Sequence, residues 1–452
     1  MRLGEFWGCF GRFTRTKTRD TSEYGYHYLS ALLRMETKRN IAQISEKASV
    51  PVQNMQHYIS LSPWSGPNML KMVRQQIGAH EYFESGGVLV LDESADERNG
   101  LHSAGVARQY NGRAGKVDLC QVGVVLSLAK NGIQPWIDGE LFLPESWFAE
   151  EQADLRQELG VPSERKFQTK IELGWQMIQR AQAEGIAFDA LCCDAFYGRS
   201  FAFRQQLNDA KLEYYADIPA DTRVYLSTPE IGIPQNQGGR QAKKPRVLGQ
   251  RSLRVDQVRE LPSLLWQRLN LRPTERGFLI AEFARMRVWT VHDDLTTRQE
   301  WLLIRKDGKK YSYSLSNAPV TLALERMAQR KSQRYFVERS NQDSKSDFGW
   351  DEVQTVKFNA WEHQLAFTIL AHWFIAQTRL DWLEQCPRDP TLLERYQTDV
   401  LPALSVANVR ELLRSVLPLP QLSPQQAATL VVKHLDNRTR SRSSRILNAS
   451  SP

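Results

Sequence analysis

The stretch FDALCCDAFYG, residues 188–198, decides the fold class that the sequence predicts. An apolar run ends there in Asp194, and small and aromatic residues then turn the chain. A short apolar run bounded by turn residues predicts a buried strand. Ligands of open α/β sheets bind at the carboxyl ends of strands, so a carboxylate in this place is a candidate functional group. The alternative is that Asp194 only forms the turn or caps the next helix.

The segments around this stretch alternate between strand and helix patterns. The predicted elements are strands at 86–94, 116–132 and 133–148, a helix at 166–185, the strand ending at Asp194, a helix at 199–212 and a strand at 213–226. An Asn-Gly turn closes the second strand. Helical spacing before residue 82 adds a helical N-terminal region. This order is typical of a mixed α/β sheet.

The bulk composition is that of an ordinary globular chain. Of 452 residues, 41% are hydrophobic and 24% are charged. No run approaches ~18 consecutive apolar residues, and no signal peptide is recognisable, so we expect a cytoplasmic protein without a membrane segment. The five cysteines show no CxxC spacing, which argues against a zinc site.

Positive charge is concentrated in three runs, at residues 12–19, 240–254 and 438–445. The formal net charge is +8. Solvated loops explain any one such run, whereas three in one chain favour contacts with nucleic-acid phosphates.

A second apolar run, VLVLDES at 88–94, places Asp92 in the same position as Asp194. Two carboxylates at one rim of a sheet repel each other unless a cation lies between them. Hard divalent cations prefer such oxygen ligands, so the pair predicts Mg²⁺ or Mn²⁺. Glu338 is the candidate third acid. Arg334 and Lys345 lie four and seven residues away, on its helical face, although a solvated, salt-bridged face explains this charge pattern too.

Together these segments resemble the DDE transposases of bacterial insertion sequences, in particular their 701 family. The likeness covers roughly residues 60–380. It is carried by HSAGVARQYNGRAGKVDLCQVGV at 102–124, LFLPESW at 141–147, the two aspartate motifs, RYFVERSNQDSK at 334–345 and NAWEHQLAFTILAHWFI at 359–375.

The resemblance implies an RNase H-like mixed sheet with helices on both faces and an insertion between the second Asp and the Glu. It identifies Asp92, Asp194 and Glu338 as catalytic metal ligands for two Mg²⁺ (or Mn²⁺) ions about 4 Å apart. Arg334 and Lys345 are expected to contact phosphates beside the cut. The implied activity is cleavage at transposon ends, followed by joining of the freed 3′-hydroxyl to target DNA by a nucleoid-associated homodimer.

The chain departs from the family pattern at two places. The family usually carries a Lys-Lys-Gly segment where this chain has Asp96, Glu97, Arg98, Asn99 and Gly100. Lys331 replaces a tyrosine that often lies three residues before the motif arginine.

The segment between the second Asp and the Glu is predicted to be a β-rich, basic insertion that contacts double-stranded DNA. The residues expected to bind DNA there are Arg240, Lys243, Lys244, Arg246, Arg251, Arg254 and Trp289. The tryptophan stacks on a displaced base in this hypothesis, and is buried in the small sheet in the alternative.

These interpretations divide the chain into five parts. They are a helical DNA-binding region at 1–82, a first catalytic part at 83–227, the insertion at 228–318, a second catalytic part at 319–382, and a C-terminal helical region with a basic disordered tail at 383–452.

Two other functions remain open. An inactive descendant that only binds or regulates DNA would keep the fold and the basic runs. A carboxylate-pair glycosidase would need no basic insertion and would work in EDTA.

Overall fold

A ten-stranded mixed sheet forms the centre of the chain. The computed structural model describes residues 2–16, 19–112, 114–235, 242–274, 277–385 and 405–416. The strands of this sheet are β1 (Val88–Glu97), β2 (Ala107–Asn111), β3 (Lys116–Ala129), β4 (Trp136–Phe142), β5 (Ala190–Cys193), β6 (Tyr214–Ile218), β11 (Gln267–Thr274), β12 (Gly277–Val291), β13 (Thr297–Asp307) and β14 (Lys310–Ser316). Four short strands pair separately, β7 (Arg223–Val224) with β10 (Leu253–Arg254) and β8 (Glu230–Gly232) with β9 (Arg246–Leu248).

The first half of the sheet combines antiparallel and parallel pairing. β3 lies antiparallel to both β1 and β4, while β1, β5 and β6 run parallel to one another. The mixed α/β architecture predicted from the sequence is therefore confirmed. The Asn-Gly turn after β3 is also present, because Asn131 and Gly132 both adopt positive φ, as a tight hairpin of this kind requires.

β1 is longer than its apolar run predicts. The sequence predicts a strand that ends at residue 94, with Asp92 at the end of its apolar run. β1 continues to Glu97, because β3 offers hydrogen-bonding partners as far as Cys120. Only the parallel ladder stops near Asp92: its last pair joins Leu91 to Cys193.

The segment predicted as an insertion contributes β8 to β14, but β11 to β14 form no separate small sheet. β14 pairs antiparallel with β6, and β13, β12 and β11 follow in turn. These four strands therefore continue the central sheet. β11 was missed in the sequence, where an arginine- and proline-containing stretch hides it.

Helices cover both faces of the sheet. They are α1 (Arg2–Phe10), α2 (Ser22–Arg34), α3 (Ile41–Ala48), α4 (Val52–Ser60), α5 (Gly66–Gly78), α6 (Glu81–Glu84), α7 (Ala153–Glu158), α8 (Lys170–Ala183), α9 (Ala195–Gly198), α10 (Phe201–Asp209), α11 (Val255–Val258), α12 (Leu324–Ser332), α13 (Tyr335–Ser346), α14 (Phe358–Gln385) and α15 (Val406–Val416). Alternate residues of β1 belong to different cores: Leu89 and Leu91 pack with α8 and α14, whereas Val88 and Val90 pack with α12 and α13.

The N-terminal helices share their apolar core with the sheet and with α14. Trp7 stacks on Phe367 of α14 at 5.9 Å between ring centroids, and Phe6 meets Phe374 at 5.2 Å. The predicted boundary at residue 82 therefore marks the change from helices to strands along the chain. That it also divides two domains stays a prediction.

The charged helix expected over 320–345 is two helices. α12 ends at Ser332 and α13 begins at Tyr335, with Arg334 at the junction. Hydrogen bonds of the i to i−3 type connect the two helices there, from Arg334 N to Lys331 O and from Phe336 N to Gln333 O.

Within the described ranges, no helix combines the length and the apolar composition needed to span a bilayer. The 28-residue α14 is the longest helix among them. The predicted disordered tail lies outside the described residues, as does most of the predicted C-terminal region.

Candidate active site

Three aspartates lie side by side where the parallel strands end. Leu91, Cys193 and Ala216 pair across β1, β5 and β6, and the next residue of each segment is an aspartate. These three residues face the core of α8 and α14. Because side chains alternate along extended chains, Asp92, Asp194 and Asp217 point to the opposite face, toward α12 and α13.

Asp92 is partly buried on this face. Its Oδ2 accepts a hydrogen bond from Nδ2 of Asn341 on α13, at 3.2 Å. Trp136 Nε1 donates to the Oδ1 of the same asparagine, at 3.1 Å. Burial raises the pKa of Asp92 to about 7; Arg334 opposes this shift and Asp194 adds to it.

Asp194 is held by the helix that follows it. Its Oδ1 accepts the backbone N–H groups of Phe196 and Tyr197, at 2.9 and 3.4 Å, and so caps the N-terminus of α9. Asp194 thus caps a helix, as the alternative interpretation of the sequence expected. The cap also holds the Asp194 carboxylate in place next to Asp92.

Arg334 connects the remaining acids. Its Nη1 lies 3.2 Å from Glu338 Oε1, and its Nε lies 3.2 Å from Asp217 Oδ2. Burial alone would lower the pKa of Arg334, but Asp217, Asp92, Glu338 and Asp194 together raise it. Four carboxylates therefore act on one guanidinium group.

The three predicted metal ligands are brought to one region but are not arranged as a ligand set. No group of three or more His, Cys, Asp or Glu side chains in the described part of the chain is close enough to hold an ion. Glu338 is 61% exposed and pairs with Arg334, whose positive charge lies among the acids. The donor set nevertheless suits a hard divalent cation, since it offers carboxylate oxygens.

Lys345 contacts a different part of β1. Its Nζ donates to the Ala95 carbonyl at 2.6 Å and lies 3.4 Å from Asp96 Oδ1. Asp96 is buried. In this conformation Lys345 is paired within the chain.

Sequence reasoning missed Asp217 and Asn341. Asp217 follows the apolar YYA of β6, the same pattern as Asp92 and Asp194, and this pattern was the available signal. Asn341 has no comparable signal, because only the packing of α13 against β1 brings it to Asp92.

Five of the predicted DNA-binding residues lie on or next to the short strands β9 and β10; they are Lys243, Lys244, Arg246, Arg251 and Arg254. Arg246 begins β9, Arg254 ends β10, and both are exposed, as are Lys243, Lys244 and Arg251. Arg254 pairs with Asp256 at 2.6 Å. Arg240 lies outside the described residues.

Trp289 lies in β12, opposite Gln299 of β13 and bridged through its backbone to Tyr225. It is neither fully buried nor fully exposed. Its predicted role in stacking on a base stays a prediction.

Two comparisons with known proteins bear on this geometry. A family model described as DDE superfamily endonuclease matches residues 5–277, more than half of the chain. The probable transposase for insertion sequence element IS701 of Microchaete diplosiphon is 26% identical over 175 residues, which are 38% of this chain and 42% of that protein. The match thus spans less than half of that relative. Arg334 and Glu338 lie beyond the end of the family match.

Proposed function

We propose, from the premise that this chain belongs to the DDE superfamily endonuclease family, that it is a DNA transposase with an RNase H-like catalytic core. It cuts phosphodiester bonds at transposon ends and joins the freed 3′-hydroxyl to target DNA. The observation that carries the proposal is the register of Asp92 and Asp194 on adjacent parallel strands, facing the helix of Glu338. The transposase name of the similar IS701 protein supports it.

Asp92, Asp194 and Glu338 are the residues that would hold the divalent cations, two Mg²⁺ or Mn²⁺ ions in the proposal. Such ions, when bound, polarise the scissile phosphate and supply an activated water. Asn341 orients the Asp92 carboxylate through its 3.2 Å hydrogen bond. The cap of α9 orients Asp194.

In this proposal Arg334 pairs with the acids in the free protein and with a DNA phosphate in the complex. Its guanidinium lies among the acids and would turn toward a DNA phosphate once cations neutralise them. Lys345 would exchange Asp96 for a phosphate in the same way. The exposed basic residues of the inserted segment would follow the DNA backbone as part of a homodimer on two transposon ends.

The test is metal-dependent nicking of DNA that carries the terminal repeats flanking the gene. We expect the wild type to nick in Mg²⁺ and not in EDTA, and Glu338→Gln to lose nicking while still binding this DNA. Glu325→Gln is the matched control, because Glu325 is an exposed acid in the first turn of the adjacent α12. Nicking by Glu338→Gln at the wild-type rate would refute the assignment.

The same assay addresses the inactive alternative. Specific binding of the repeats by the wild type, without nicking in Mg²⁺ or Mn²⁺, would support a DNA-binding descendant of the family.

A further inference from the structure

Asp217 is the third aspartate of the row, and it is the one with the most direct cationic partners. Its Oδ1 lies 2.6 Å from Lys331 Nζ, and its Oδ2 lies 3.2 Å from Arg334 Nε. Ser314 Oγ, on β14, donates a hydrogen bond to Oδ1 at 2.7 Å. The carboxylate is thus held by the α12–α13 junction on one side and by the inserted strands on the other.

Arg334 stands between two sets of acids. Asp217 binds it from the β6 side, while Glu338 binds it at 3.2 Å, and Asp92 and Asp194 act on it electrostatically. A guanidinium group that loses one carboxylate partner pairs more strongly with the others, because the Coulomb attraction is strong in a partly buried site. Without Asp217, Lys331 would lose the carboxylate that it contacts at 2.6 Å, and Arg334 would depend more on Glu338, Asp92 and Asp194.

We propose that Asp217 is a positioning residue that holds Arg334 and Lys331, so that the carboxylates of Asp92 and Asp194 stay available to a divalent cation. This inference rests on the proposed function for the identity of the cation-binding acids. It assigns Asp217 to the cationic side chains and not to the metal, because its oxygens already contact Lys331, Arg334 and Ser314.

The experiment is calorimetric titration of Mn²⁺ into the full chain without DNA. We expect Asp217→Asn to weaken Mn²⁺ binding at least about fivefold, since it leaves Arg334 to compete for the metal acids. Asp189→Asn is the matched control. Asp189 pairs with Arg326 and Arg330 of α12, at 3.4 and 3.6 Å, and it precedes β5, so it lies at the strand end opposite Asp194. We expect the control to change the affinity less than about twofold.

A double-mutant cycle separates positioning from direct ligation or general damage. Asp217→Asn changes the free energy of Mn²⁺ binding in the wild-type background. In an Arg334→Gln background, we expect the same substitution to change it by less than half as much. An equal effect in both backgrounds, or no effect in the wild-type background, would overturn the inference.

The remaining outcomes are also informative. If the wild type binds no Mn²⁺, the proposed function fails and this inference fails with it; if the wild type binds and Asp217→Asn binds equally, only this inference fails. Should Asp217→Asn not fold, Lys331→Met tests the same balance between Asp217 and the positive charges of Lys331 and Arg334, with Asp217 in place. Loss of that lysine charge is expected to tighten Mn²⁺ binding, and unchanged or weaker binding would contradict the proposal.

Discussion

The Asp194 side chain both caps a helix and lies among the candidate catalytic acids, and a substitution separates the two roles. Asparagine is also a good N-cap residue, so Asp194→Asn is expected to keep α9 and the fold. It removes the negative charge next to Asp92, so we expect DNA cleavage to be abolished while binding of transposon-end DNA survives.

Gel-shift and nicking assays on the same preparations measure both properties of Asp194→Asn. An alanine at this position should in addition lower the free energy of unfolding by about 0.5–2 kcal/mol, because it cannot cap the helix. Cleavage by the asparagine variant would disprove the catalytic role.

The raised pKa of Asp92 makes a prediction about pH. Burial raises that pKa from 3.8 to about 7, so the folded chain binds this proton more tightly than the unfolded chain does. The proton on Asp92 therefore stabilises the folded chain. This contribution is complete below about pH 4 and is lost as the pH rises through about 7. Without divalent ions, the thermal midpoint of the wild type should therefore fall relative to that of Asp92→Asn as the pH rises across this window.

Added Mg²⁺ should reverse that trend for the wild type. Above about pH 7 the ionised Asp92 is available to the cation, so Mg²⁺ is expected to raise the wild-type midpoint and to have less effect on Asp92→Asn. If the thermal midpoints of the wild type and Asp92→Asn changed in parallel with pH, Asp92 would titrate in its ordinary range.

At the scale of the element, α13 is held at both ends. Arg334 stands at its N-terminus, and Arg39 binds the carbonyl groups of Ser346 and Asp347 at its C-terminus, at 2.8 and 2.5 Å. Arg39 is 1% exposed and also pairs with Glu352 at 2.7 Å. The helix that carries Glu338 is thus anchored by a residue from the loop between α2 and α3.

Arg39→Met is therefore expected to destabilise the protein by about 2–3 kcal/mol, because it leaves helix-end carbonyl groups and a carboxylate without their charged donor. Chemical denaturation measures the change. Lys306→Met is the matched control: it removes a cation from a partly exposed pair with Glu282, and we expect little change in the midpoint. Equal midpoints for Arg39→Met and the wild type would rule out this anchoring.

At the scale of the whole molecule, the N-terminal helices and the sheet share one apolar core. Trp7 is 7% exposed and stacks on Phe367, and the same core includes Leu91 and Cys193 beside the aspartates. Unfolding of the N-terminal region is therefore expected to expose the strands that carry the site.

Trp7→Ala tests this coupling and should cost about 3–5 kcal/mol. The denaturation midpoint seen by far-UV circular dichroism and that seen by thiol labelling of the buried Cys192 and Cys193, mapped by mass spectrometry, should fall together. Leu265→Ala, at a side chain that is 76% exposed, is expected to leave both unchanged. An unchanged labelling midpoint in Trp7→Ala would mean that the N-terminal helices fold independently.

The sequence by itself determined several of the elements and two of the three aligned aspartates. Apolar runs marked β1, β3 and β5, and Asp92 and Asp194 were visible because a charge at the end of such a run is a local pattern. The family, too, was recognised from contiguous motifs, and the match to the endonuclease family confirms it.

Only the tertiary structure decided which of these residues meet. Residues distant in sequence are joined by the register that aligns Asp217 with the two predicted aspartates, by the helix junction that places Arg334 among the acids, and by the pairing of β14 with β6. Strand register and helix packing are set by which surfaces bury together and by which charges find partners. Those choices depend on the whole folded chain, and no local pattern in the sequence encodes them.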